Sequence, residues 1–187
     1  MLADSPEAYW RLDETSGTTA NDSSGNGLNG TLAGGVMLGA VGGLTSDTDA
    51  AMSFDGSTGY VSLPSGFSDF TGGLTIEAWI YPTSTGSWAR VVDLGNGPAS
   101  DNVFLARVGT TSDLTFGVSI GSSSALGTTA SNVLVLNTWQ YVAATMDSAG
   151  KTTMPIILLT PLSVHLGRAG RTTTIHESLT TRAGTPR

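Results

Sequence analysis

GGLTIEAWIYP, residues 72–82, is the stretch whose reading decides the fold. Leu74, Ile76, Ala78 and Ile80 alternate with Thr75, Glu77, Trp79 and Tyr81, so one face is wholly apolar and the other carries two aromatic rings. That is the period of a β-strand. Two glycines open the run and Pro82, which has no N–H to give a ladder, closes it. The segment therefore has the length and the ends of a central strand in an all-β domain, and other strands must pack against its apolar face.

The remaining composition agrees. The chain has 187 residues, enough for one full core or one core with a tail. Its 25 glycines and 12% charged residues suit a turn-rich sandwich better than a helical bundle. The absence of cysteine excludes a disulfide framework and thiolate metal sites without fixing a compartment. A formal net charge of −7, with Arg11, Arg90 and Arg107 the only basic residues up to position 150, argues against a nucleic-acid partner. The opening MLADSPEAYW has neither the basic nor the apolar region of a signal peptide, and no run is long enough to insert in a membrane. Either the protein stays inside its cell or the chain is a module of a longer exported one.

Outward from the central strand, EAYWRLD at 7–13 reads as a first strand, followed by a small, polar, glycine-rich loop over 14–30. A loop of that length inside a compact domain is functional or is tied down by something. Short strands fit 30–33 and 36–38. MSFDGSTGYVSLP at 52–64 reads as a hairpin turning on Asp55-Gly56. Further strands are expected at 88–94, 102–108, 114–120, 133–136 and 139–146, which together predict two packed antiparallel sheets.

The blocks AYWRLDETSG at 8–17, DSSGNG at 22–27, NGTL at 29–32, SFDG at 53–56 with Tyr60-Val61, LTIEAWIYP at 74–82 and NTWQYVA at 137–143 run in an order that resembles a laminin G-like, concanavalin A-like lectin/glucanase jelly-roll module of bacterial or phage type. The resemblance implies an antiparallel β-sandwich and covers 8–147. It stops there: the family's closing blocks have no counterpart in TTMPIILLTPLSVHLGRAGRTTTIHESLTTRAGTPR. Charge changes at the same place. Residues 1–150 hold 3 basic and 14 acidic residues, whereas 151–187 hold 5 basic and 1 acidic. The division expected is a laminin G-like domain over 1–150 and an atypical tail over 151–187, frameshifted or poorly ordered, with the module's last strands missing. The alternative is a divergent C-terminus that docks 156–159 as a strand.

Asp22, Asn26 and Asn29 concentrate oxygen ligands in a flexible loop, and the resemblance implies calcium as a cofactor there, with Asp22 the carboxylate. The competing reading is a loop held by Asx turns with no ion. The four tryptophans read as core or sheet-face residues. Trp88, at a loop-to-strand transition, is the candidate for stacking on a sugar ring. Glu77 stands alone on its strand face, between Thr75 and Trp79, so the carboxylate pair of a glycoside hydrolase is absent from that strand. No histidine lies before position 151, and His165 and His176 have no ligand spacing. The function expected is non-catalytic: a carbohydrate-binding or adhesion module, meeting a glycan or neighbouring domains, in a larger protein that is extracellular, at the cell surface or in a phage virion. The alternative is a structural spacer module with no small ligand.

Overall fold

The computed structural model describes residues 5–44, 48–65, 70–95, 101–121, 123–154, 156–157 and 172–175. Among them there is no helix, and so none long and apolar enough to cross a membrane. The strands are β1 (Ala8–Trp10), β2 (Thr19–Ala20), β3 (Gly30–Ala33), β4 (Val36–Val41), β5 (Ala50–Phe54), β6 (Tyr60–Ser62) and β7 (Leu74–Ile80). They continue as β8 (Arg90–Gly95), β9 (Asn102–Arg107), β10 (Leu114–Ile120), β11 (Ser123–Ala130), β12 (Gln140–Met146), β13 (Thr152–Thr153), β14 (Ile156–Ile157) and β15 (Thr172–Ile175).

Two larger sheets form the sandwich. The first runs β1-β15-β7-β12-β13, with β14 also on β12, and the second runs β11-β10-β9-β8. As the alternation of 72–82 predicts, Ile76, Ala78 and Ile80 point into the core and meet Leu105, Leu114 and Phe116 of the second sheet. Trp10, 1% exposed, joins the same cluster and donates its Nε1–H to Leu28 O at 2.8 Å. At one edge the sheets are pinned together by Thr128, whose Oγ1 donates to Thr152 O at 3.0 Å and lies 2.6 Å from Thr152 Oγ1. Two smaller sheets, β2-β3-β6 and β4-β5, complete the fold. Among the described residues the strand pairings are antiparallel except those of β15, which runs parallel to both β1 and β7.

Several elements differ from their sequence expectations. The first strand ends at Trp10 because Leu12 takes a positive φ of 56° while its side chain stays buried. The expected hairpin over 52–64 does not form: β5 pairs with β4, and β6 pairs with β3. The cause is Asp55. Its Oδ1 accepts the N–H groups of Ser57, Thr58 and Gly59 at 2.8–2.9 Å, and Oδ2 accepts the Thr58 hydroxyl at 2.7 Å, building a loop that carries the chain into another sheet. The run 133–136 is not a strand. Val133 and Leu134 both donate to Ser112 O, and the Gln140 side chain takes Val133 O and the Val135 N–H. The strand expected there is instead β11, upstream. Beyond Met154 only 156–157 and 172–175 are described. Both lie in the first sheet, and the rest of the expectation for 151–187 falls outside the described residues.

Candidate functional site

The second sheet has a core face and an outer face, and the outer one carries the candidate site. Because Val103, Leu105, Leu114 and Phe116 turn inward, their neighbours in sequence turn outward. Register then lines up Asp93, Phe104 and Gly117 across β8, β9 and β10. A Cβ on Gly117 would lie 2.5 Å from Phe104 Cζ, so the ring lies across the bare glycine backbone and no larger residue fits beneath it. On the other side the Arg90 guanidinium stands 4.7 Å from the Phe104 centroid and 5.9 Å from the Trp88 centroid. Its Nε donates to Asp93 Oδ2 at 3.1 Å. Gly117, Phe104, Arg90 and Trp88 thus form one file, each supporting the next.

Trp88 ends the file and is 44% exposed. Its backbone is in the left-handed region at φ 54°, which few bulky residues adopt. Its N–H donates to Gly109 O at 3.0 Å while the Arg107 N–H donates to Ala89 O at 2.9 Å, so the residue is paired just before β8 begins. Along the same face Thr129 Oγ1 donates to Thr115 Oγ1 at 3.1 Å. An exposed aromatic ring, an ion pair and threonine hydroxyls are what a polar ligand with apolar C–H faces needs.

The other tryptophans are committed elsewhere. Trp10 is core. Trp79, 7% exposed, faces its cross-strand partner Tyr141 at 5.7 Å on the outer face of β7 and β12, and the half-buried Trp139 faces Tyr81 at 5.4 Å just beyond the ends of those strands. Glu77 on that face has Ala143 and Thr174 opposite it, so neither strand partner supplies a second carboxylate.

Asp22, Asn26 and Asn29 do come together, but their polar groups serve the loop itself. Asp22 Oδ1 accepts the N–H of Tyr9 at 3.0 Å and of Ser24 at 2.9 Å. Its Oδ2 accepts the Ser24 hydroxyl at 2.8 Å and the Leu28 N–H at 2.9 Å. Asn29 Oδ1 accepts the Asp22 N–H at 2.8 Å, and Asn26 Nδ2 donates to Glu7 O at 2.9 Å. Burial raises the Asp22 pKa, but these backbone and hydroxyl donors outweigh it and hold the carboxyl below its ordinary value. Both carboxylate oxygens are thereby engaged. Calcium needs six to eight oxygens, and in this arrangement the Asp22 carboxylate and Asn29 Oδ1 accept hydrogen bonds from within the loop and β1. Among the described residues no group of three His, Cys, Asp or Glu is placed to hold a metal ion.

Sequence reasoning singled out Trp88 but missed Arg90, Phe104 and Gly117. The signal available was the glycine inside LTFGVSI, since a glycine within a strand marks the close approach of something else.

The antiparallel sandwich defines a concanavalin A-like class of β-protein. Over residues 55–156, just over half of its length, the chain matches the concanavalin A-like lectin/glucanases superfamily in its laminin G form, and it belongs to that superfamily. No curated protein and no solved structure matches it.

Proposed function

We propose that this chain is a non-catalytic carbohydrate-recognition module of a larger surface or virion protein, with Trp88 as its stacking platform. The observation that carries the reading is an indole 44% exposed, in a strained backbone conformation, braced from beneath by Arg90 and Phe104. Backbone strain at an exposed aromatic residue has a use when the ring must be presented rather than buried. The C–H face of a pyranose packs on such a ring, and Asp93 and Thr115 alongside offer partners to its hydroxyls. Glu77 lacks a carboxylate partner on the adjoining strands, which supports recognition over hydrolysis.

A glycan array tests this. The native chain is expected to give reproducible hits that Trp88→Ala weakens by about thirtyfold, the effect of losing an aromatic anchor worth ~2 kcal/mol. Retention of those hits in Trp88→Ala would remove Trp88 from the site. Silence across the array from a folded sample would favour a spacer module with no small ligand.

A further inference from the structure

Trp88 combines two properties that conflict. Its left-handed backbone is one that a bulky residue keeps only where the surroundings over-determine it, yet its ring is too exposed for side-chain packing to do so alone. Part of the restraint comes from beneath the sheet, from Arg107.

Arg107 ends β9 on the core side and is 2% exposed. Its Nη1 donates to Thr111 O at 2.5 Å and its Nη2 to Ser84 O at 3.2 Å. Those carbonyls belong to the two segments that flank Trp88: residues 83–87 lead into it, and the 108–113 turn accepts its N–H. The turn is stiff in its own right. Val108 N–H donates to Asp113 O and Thr111 N–H to Val108 O, both at 3.0 Å, while the Thr111 hydroxyl donates to Val108 O at 2.7 Å and accepts from Asp113 N–H at 3.1 Å. The preceding segment is exposed at Thr83, Ser84, Thr85 and Ser87. The guanidinium therefore ties an exposed segment to a hydrogen-bonded turn on either side of the indole.

This arrangement is costly as a source of stability. Burial lowers the Arg107 pKa, its Nε has no hydrogen-bond partner among the described residues, and the two groups there that accept from its guanidinium are carbonyls rather than carboxylates. Replacing such a buried charge with an apolar side chain of similar volume is often neutral or stabilising. What the apolar side chain cannot do is hold two carbonyls at a fixed separation.

We infer that Arg107 is a positioning residue for Trp88, holding the segments on both sides of the indole so that its ring is presented at one angle. The inference rests on the platform reading of Trp88 for its functional consequence, though not for its geometry. The chain has four tryptophans, so 5-fluorotryptophan labelling gives four fluorine resonances, and Trp88→Phe assigns one of them to Trp88.

In Arg107→Met that resonance is expected to shift or broaden while the other three stay in place. The Trp88 amide, which donates to Gly109 O, should exchange about tenfold faster, with the melting temperature unchanged within a few degrees. Arg107→Lys, able to satisfy one carbonyl, should fall between. An Arg107→Met spectrum and exchange pattern identical to the native ones would overturn the inference. If Arg107→Met fails to melt cooperatively, Arg107→Lys is read in its place, and an unchanged Trp88 signal there overturns it equally. The array with Trp88→Ala tests the platform by itself, so failure of the one is distinguishable from failure of the other.

Discussion

Replacing Asp22 with alanine separates a structural carboxylate from a metal ligand. The substitution removes the acceptor of four hydrogen bonds, from the backbone of Tyr9, Ser24 and Leu28 and from the Ser24 hydroxyl. It also loosens the loop from β1, where Trp10 and Asp22 form an isolated bridge. At roughly 0.5–1 kcal/mol per bond for a partly exposed group, the loss is about 2 to 4 kcal/mol. In a chain of this length that lowers the melting temperature by roughly 4 to 16 °C. Because the folded-state pKa of Asp22 is depressed, its stabilisation is fully present above the unfolded value near 3.9 and is lost as pH falls toward the folded value. The gap between native and variant melts should therefore stay constant from about pH 5 to 8 and close below about pH 4. Differential scanning calorimetry across that range reads it directly. Repeating the native melt in EDTA and in excess calcium should give the same temperature, since the Asp22 oxygens are already engaged. Saturating calcium at 100 times its Kd would add about 2.7 kcal/mol, or roughly 5 to 11 °C. A rise of that size in the native chain, absent in Asp22→Ala, would refute the argument, as would a variant that melts within a degree of the native protein.

Other expectations follow from the same contacts. Gly117→Val puts a Cβ where the Phe104 ring lies; the ring must move, at a cost of about 1 to 3 kcal/mol, and the Trp88 indole should lose its support, seen as increased acrylamide quenching. Asp55 is held well below the usual carboxylate range by the N–H groups of Gly59 and Ser57, then by the hydroxyl and N–H of Thr58. The stabilisation it gives is complete above about pH 4 and falls away only in stronger acid, so Asp55→Asn should lower the melting temperature at pH 7 and lose part of that deficit as pH falls below 3. Leu105→Ala, at a site with no exposure, should cost about 2 to 5 kcal/mol in a denaturant titration.

The fold was legible where one sheet face is buried. In LTIEAWI, LTFGVSI and QYVAATM the apolar residues recur with period two, and β7, β10 and β12 lie where that pattern puts them. Partnering was less legible. Asp55-Gly56 carries the composition of a hairpin turn, but the carboxylate binds the three N–H groups that follow and sends the chain elsewhere, which spacing alone does not reveal. β11, with the sequence SSALGTTA, has small and hydroxylated residues in place of an apolar alternation. Its pairing with β10 places it. The platform illustrates the same limit: Trp88 stood out as an aromatic residue entering a strand, whereas Arg90, Phe104 and Gly117 become neighbours only once register is known.

The position of β15 bears on synthesis. Thr172–Ile175 lies between β1 and β7, so β1 meets this sheet partner only after more than 160 further residues have followed it from the ribosome. At ordinary translation rates of 5–20 residues per second, that is a wait of roughly 8 to 33 s. For the part of it that follows its own synthesis, β7 (Leu74–Ile80) offers an open backbone edge to any extended chain nearby, while pairing across so long a separation in sequence is slow in itself. The nascent protein therefore passes through a defined interval in which its central strand is available to the wrong partner, and the yield of folded chain should depend on how crowded that interval is.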